Sequence, residues 1–169
     1  FCSRALGRAS PYARLNAREQ KEWALSRTLE VPTGGPARRA YDAALGAAKG
    51  DGRDDLHPVR YGAAVVFGDG SVATARQFKA LEYGCTLDPV GQLATAVADR
   101  DAAPAALALV DQLGVAHAPF AAGRAFLCEH GHGSVEVVFH DDRGGIGTCP
   151  ASDLAPAPPE FEAADFVAK

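Results

Sequence analysis

Pro58-Val59-Arg60-Tyr61-Gly62-Ala63-Ala64-Val65-Val66-Phe67-Gly68-Asp69-Gly70 is the stretch on which the fold turns. Tyr61 to Phe67 is an apolar run that ends directly in a Gly-Asp-Gly turn. That pattern predicts a strand, a tight reversal and a return strand over Ser71 to Ala75.

Working outward, Asp88-Pro89 predicts a helix start, with Asp88 as N-cap and Pro89 where no backbone donor is missed. The helix is expected over Pro89 to Ala98. The continuous apolar run Ala105 to Val110 reads as a buried parallel strand, although periodicity alone does not separate such a run from a helix. A second helix spans Pro119 to Glu129 and stops at His130-Gly131. Strands at Val135–His140 and Ile146–Cys149, with a turn over Asp141–Gly145 between them, lead to a helical turn near Ala151–Leu154. On the N-terminal side a short helix is expected from Ser3 to Ala9. An amphipathic helix follows from Asn16 to Leu29, carrying Trp23 beside Leu25 and Leu29. Val31-Pro32-Thr33-Gly34-Gly35-Pro36 breaks it, and Ala37 to Lys49 forms the next helix before the polar loop Gly50 to Asp55.

The chain has 169 residues, 47% of them hydrophobic, and a formal net charge of -4, which suits one core with appended segments. No apolar run reaches the roughly eighteen residues of a membrane helix. The acidic balance lacks the basic footprint of nonspecific nucleic-acid binding, so RNA is an alternative unsupported by charge. Arg14, Arg18, Lys21, Arg27, Arg38 and Arg39 do cluster early, but Glu19, Glu22 and Glu30 interleave with them as on a solvated helix. Cys2, Cys85, Cys128 and Cys149 show no C-x-x-C spacing, which points to reduced thiols in an intracellular protein. The absence of methionine reads as a processed or truncated chain. With an Ala/Arg-rich start it suggests a mitochondrion or chloroplast.

These segments together resemble the cytidine deaminase family. Pro58 to Phe67 with Gly68-Asp69-Gly70 is similar to that family's opening V-G-A-A strand and D-G hairpin. Tyr83-Gly84-Cys85-Thr86-Leu87 resembles the approach to its first zinc motif. Pro119-Phe120-Ala121-Ala122-Gly123-Arg124-Ala125-Phe126-Leu127 resembles its P-C-G-A-C-R-x-x-L helix start, and Ala5 to Tyr12 its first helix running into P-Y-S. Val135 to Phe139, a Gly-rich turn and Leu154-Ala155-Pro156 follow in the family's order. The resemblance implies a three-layer α/β/α sandwich with a mixed sheet. It divides the chain into a first core helix and turn (1–12), a helical insertion (13–57), a deaminase-like core (58–156) and an extended C-terminal tail (157–169).

Zinc deaminases hold their metal with a His or Cys and two Cys, while a Glu that is not a ligand moves the proton. Carried over position by position, the first ligand becomes Asp88, the Glu becomes Val90, and the paired Cys become Phe120 and Gly123. Phe and Gly cannot ligate zinc, and a catalytic site needs about three protein ligands. Val90 cannot transfer a proton. The resemblance therefore implies a catalytically degenerate member with no catalytic residue, no metal and no cofactor. Phe120 is expected to fill the volume the metal would take. Cys128, His130 and His132 offer a displaced metal site only if Cys128, which reads as a core residue, turns outward.

Two readings of function follow. In the first, the chain is a non-catalytic structural or interaction subunit of a larger assembly, or a companion of a deaminase-like partner, with Trp23, Phe161 and Phe166 as interface anchors. In the second, the old pocket binds a nucleotide or RNA. There Gln77, Phe78 and Lys79 stand where the family's ribose-gripping N-x-E aligns, and Arg124 adds a further contact. Lys79 reverses the charge of that grip, and otherwise reads as an exposed lysine at a strand end.

Overall fold

Residues 16–50 and 53–154 are described by the computed structural model. In chain order they form α1 (Ala17–Leu25), α2 (Gly35–Lys49), β1 (Tyr61–Phe67), β2 (Val72–Arg76), α3 (Pro89–Gln92), α4 (Ala94–Ala98), β3 (Pro104–Asp111), β4 (Ala116–His117), α5 (Ala121–Glu129), β5 (Glu136–His140) and β6 (Ile146–Pro150). Short 3-10 turns lie at Tyr83–Cys85 and Ala151–Leu154. The helix expected at Ser3 to Ala9, and both Phe161 and Phe166, fall outside the described residues.

Side chains alternate across a strand, so two helical layers can each claim one face of the sheet. Ala63, Val65, Phe67, Leu107, Leu109 and Val137 pack with Val90, Leu93, Val97 and Leu127 on one side. Ala64, Val66, Ala106, Ala108 and Val138 pack with Ala40, Tyr41 and Ala44 on the other. The strand order is β2-β1-β3-β5-β6, with β4 also on β3. β3 is parallel to β5 alone and antiparallel to β1 and β4. The parallel strand expected at Ala105–Val110 is thus parallel to one neighbour, the one reached through the α5 crossover.

α2, which lies in the segment 13–57 read as a helical insertion, packs as a layer of this core. Ala40, Ala44 and Ala48 recur every four residues, are fully buried, and present a flat face to β1. Opposite them a Cβ on Gly62 would overlap the Ala44 carbonyl oxygen and the Ala48 nitrogen. The helix therefore rests on the strand backbone itself, which explains a glycine inside a strand.

The segment before α2 is a short capped helix and linker packed against the same core. Asn16 accepts from the Arg18 and Glu19 N–H groups while Glu19 reaches back to the Asn16 N–H, a capping box that starts α1. α1 ends at Leu25 and not at Leu29, because Ser26 Oγ and Arg27 both turn back to donate to the Trp23 carbonyl. Trp23 is only 8% exposed, packs with Val115 and Leu29, and carries the Arg27 guanidinium 4.3 Å over its ring. Its ring ties the arm to the protein's own core, which removes it from the expected interface set.

His140 fixes the linker after α1. Its Nδ1 accepts the Ala116 N–H at 2.8 Å, and its Nε2 lies 2.8 Å from the Glu30 carbonyl. That pattern requires a neutral ring protonated on Nε2. Burial holds its pKa below the ordinary value of about 6.5, against the raising effect of the Glu30 carbonyl, Asp111 and Asp141; nearby His117 lowers it further. No described helix is long and apolar enough to cross a membrane.

Two outcomes follow. Gly62→Ala should cost at least about 3 kcal/mol in urea unfolding, because backbone and not a flexible side chain must give way. The unfolded chain takes up the His140 proton at higher pH than the folded one. Stability should therefore be full above about pH 6.5 and decline as pH falls below it, and His140→Gln should flatten that decline in pH-dependent unfolding curves.

Candidate functional site

The starts of two helices meet beneath one rim of the sheet, and they carry the residues the sequence singled out. Asp88 caps α3, its Oδ1 accepting the Val90 N–H at 3.0 Å. Val90, the next residue but one, is fully buried. Across from them α5 presents Gly123, where an added Cβ would lie 2.9 Å from Val90 Cγ1, 3.0 Å from Val90 Cβ and 3.2 Å from Asp88 Oδ2. Asp88, Val90 and Gly123, distant in sequence, thus form one contact.

Phe120 does not join it. The ring is 41% exposed at the N-cap of α5 and stands edge-on to Tyr61, with centroids 5.4 Å apart. Val90, and not Phe120, packs against the Gly123 position.

The chemistry available here is narrow. Burial raises the Asp88 pKa, against the lowering effect of the Val90 and Gly91 N–H groups. Its Oδ2 is buried without a hydrogen-bond partner among the described residues. One orphaned carboxylate oxygen is a single donor, and Val90 and Gly123 have no donor atom to add. Among the described residues no three His, Cys, Asp or Glu side chains are grouped to hold a metal. The residues present therefore do not fit the zinc that this fold implies.

The remaining sequence candidates separate. Lys79 is 5% exposed, and its ammonium donates 2.7 Å to the His57 carbonyl, so it braces the loop before β1. This corrects its reading as an exposed strand-end lysine. Arg124 donates 3.1 Å to the Leu154 carbonyl. Gln77 is half-buried, with Oε1 unpartnered among the described residues, and Phe78 is exposed. Around the third candidate set, His130 packs on Phe126 with ring centroids 4.8 Å apart, and the His132 N–H donates to the Leu127 carbonyl. Those backbone and ring contacts hold the loop, and Cys128 is half-buried in the last turn of α5.

Sequence reasoning missed the rim beside Phe120. Fully buried Asp111 accepts the Leu113 and Val115 N–H groups through Oδ1, and its Oδ2 lies 3.1 Å from His117 Nε2. Tyr61 stands edge-on to His117 at 5.3 Å, its phenol pushed up to about 12 by burial and then by Asp111. An Asp at the end of a long apolar strand, with a His six residues later, was the available signal.

With this geometry in view, comparison with known proteins supplies the fold's relatives. The cytidine deaminase from Mycobacterium tuberculosis superimposes with a TM-score of 0.64 at 26% identity, covering 76% of this chain and 100% of that one. Cytidine deaminases from Burkholderia pseudomallei (TM-score 0.58, 24% identity) and Mycobacterium leprae (0.57, 23%) each cover 70% of this chain and 95% of their own. The chain has the cytidine deaminase-like fold, and its mixed sheet between helical layers agrees with it. No family model and no curated protein matches the sequence. About a quarter of this chain lies outside the part shared with the tuberculosis enzyme.

The Gly123 contact is testable by a double-mutant cycle. Gly123→Ala should destabilise the protein by about 1–2 kcal/mol through overpacking. In a Val90→Ala background the same change should cost clearly less, because the 2.9 Å contact with Cγ1 is removed while the Cβ contact stays, and a helical Gly→Ala exchange favours the helix by about 1 kcal/mol. Additive effects in denaturant unfolding would contradict the packing.

Proposed function

We propose that this chain is a non-catalytic cytidine deaminase-like protein that serves as a structural or interaction subunit of a larger protein assembly. The observation that carries the reading is the Val90–Gly123 contact. Zinc deaminases activate water on a metal held by three protein ligands and transfer its proton through a Glu. Here the positions that resemble that set cap a helix (Asp88), pack its interior (Val90) and leave space for that packing (Gly123). Asp88 offers one oxygen, and a valine cannot exchange a proton. The fold is supported by such packing instead of by metal.

The interaction half of the proposal rests on exposed apolar surface next to the closed site. Phe78, Leu81 and Leu87 all lie within the loop 77–88 and all remain uncovered by described residues. Isolated apolar side chains are ordinary on a protein surface, whereas Phe78 and Leu87 are bridged directly opposite each other, and adjacent exposed apolar side chains mark a contact site. This loop replaces Trp23 as the anchor. Lys79 and Arg124, required by a nucleotide-binding reading, are engaged with backbone carbonyls of their own chain.

The two halves have separate tests. The full chain, expressed with added zinc, should form no uridine from cytidine and no deoxyuridine from deoxycytidine, and should contain far less than one zinc per chain by plasma mass spectrometry. Turnover with stoichiometric zinc would overturn the non-catalytic reading. Leu81→Asp, a change on a fully solvated side chain, should leave the melting temperature unchanged and strip copurifying proteins from the tagged chain. An unchanged set of companions would remove the loop from the assembly role.

A further inference from the structure

The buried His140 ring joins two stretches of backbone, accepting the Ala116 N–H at Nδ1 and donating from Nε2 to the Glu30 carbonyl. The residues just before those two partners are Val115 and Leu29, and both pack with Trp23. One ring therefore sets the separation of two walls of the Trp23 seat. Further ties run from the same linker to the β5–β6 hairpin. The Glu30 N–H donates to the Gly144 carbonyl at 3.0 Å, the Ile146 N–H to the Glu30 carboxylate at 3.2 Å, and Arg27 Nε to the Asp142 carbonyl at 3.3 Å.

A second proton does not fit this arrangement. An imidazolium has two donors and no acceptor, so the Ala116 N–H would face another N–H and lose its partner, whichever way the ring is turned. The bond to Glu30 survives protonation, but it offers the charge a carbonyl and not a carboxylate. Around the ring stand Asp111 of β3, His117 of β4 and Asp141 after β5, with Tyr41 of α2 edge-on at 6.3 Å. None of them bonds it among the described residues. Asp111 is engaged by His117 and by the Leu113 and Val115 N–H groups, Asp141 by the Arg143 and Gly145 N–H groups, and the Glu30 carboxylate by Ile146. A charged ring must therefore reach water. α2, β3 and β5 belong to the sheet and the layer packed on it, whereas the linker at Glu30 lies outside every helix and strand. It is the wall that lifts without breaking the sheet.

We propose that His140 is an acid-sensitive latch, whose protonation releases α1 and the linker through Glu30 from the core and uncovers the apolar seat of Trp23 on Leu113 and Val115. Proton linkage to global unfolding would lower stability without moving this arm ahead of the core, so the two are told apart by comparing arm with core.

Amide hydrogen exchange of the full chain, resolved by nuclear magnetic resonance from about pH 7.5 to about pH 5 and corrected for the intrinsic rate, makes that comparison. The Ser26 and Glu30 amides, bonded to the Glu22 and Gly144 carbonyls, report the arm; Ala64 and Val66, paired with β3, report the core. The arm amides should open more often than the core amides throughout. Their opening ratio should stay flat above about pH 6.5 and rise by up to about tenfold per pH unit below it. In His140→Gln, which carries no titrating ring, that rise should vanish. Arm opening that ignores pH, or equal opening of arm and core, would overturn the latch, and these wild-type comparisons decide even if the variant does not fold. A rise that persists in His140→Gln would overturn it as well, by assigning the proton to His117 or a carboxylate. None of these outcomes bears on the loop 77–88 or the pocket closure, which are read by copurification, zinc content and turnover.

Discussion

The approach of α5 to the start of α3, with no side chain between Gly123 and Val90, is the constraint from which the rest of this account follows. Both helices lie on the same face of the sheet and share one core with Leu93, Val97 and Leu127. A bulkier residue at 123 would hold the helices apart and open a space between them. Glycine closes that space, and the fully buried Val90 fills it with carbon. Interiors tolerate few voids, and the approach of the two helices here is close-packed. Asp88 spends one oxygen on a backbone cap, while the other has no hydrogen-bond partner among the described residues.

The opposite face repeats the logic with glycine on the strand. Gly62 lets the backbone of α2 settle on β1, with Ala40, Ala44 and Ala48 as the contact stripe. The sheet is thus held by two close approaches, one per face, each of which depends on a missing side chain. Around this centre the N-terminal arm is attached by a few specific contacts: the Trp23 ring, the Arg27 guanidinium above it, and the His140 bridge to Glu30. Such an appendage, with little apolar area of its own, opens at lower free energy than the core it rests on.

Much of this was legible because local signals and tertiary demands agree. Asn16 caps α1, Pro36 sits in the first turn of α2, Asp88-Pro89 opens α3, and Gly131 at φ +76° ends the turn after α5. The pairing of Asp88 and Val90 with Gly123 was legible only through resemblance, since nothing local to either segment reveals their contact. Other features were hidden. An apolar run buried on both faces carries no mark of strand direction, so β3 reads as parallel when it is mainly antiparallel. An alanine stripe scarcely alters the polarity pattern of α2, so its packing on the sheet carries little mark in the sequence. Lys79 is buried by carbonyls from a loop more than twenty residues away, an arrangement no window of sequence displays.

The claim at the centre is a distance between two side-chain positions, and nuclear Overhauser spectroscopy on a methyl-labelled full chain measures it. The account predicts strong cross-peaks between the Val90 methyl protons and the Gly123 Hα protons, unchanged when zinc is added. Absence of those cross-peaks, or their loss on titration with one equivalent of zinc, would contradict it.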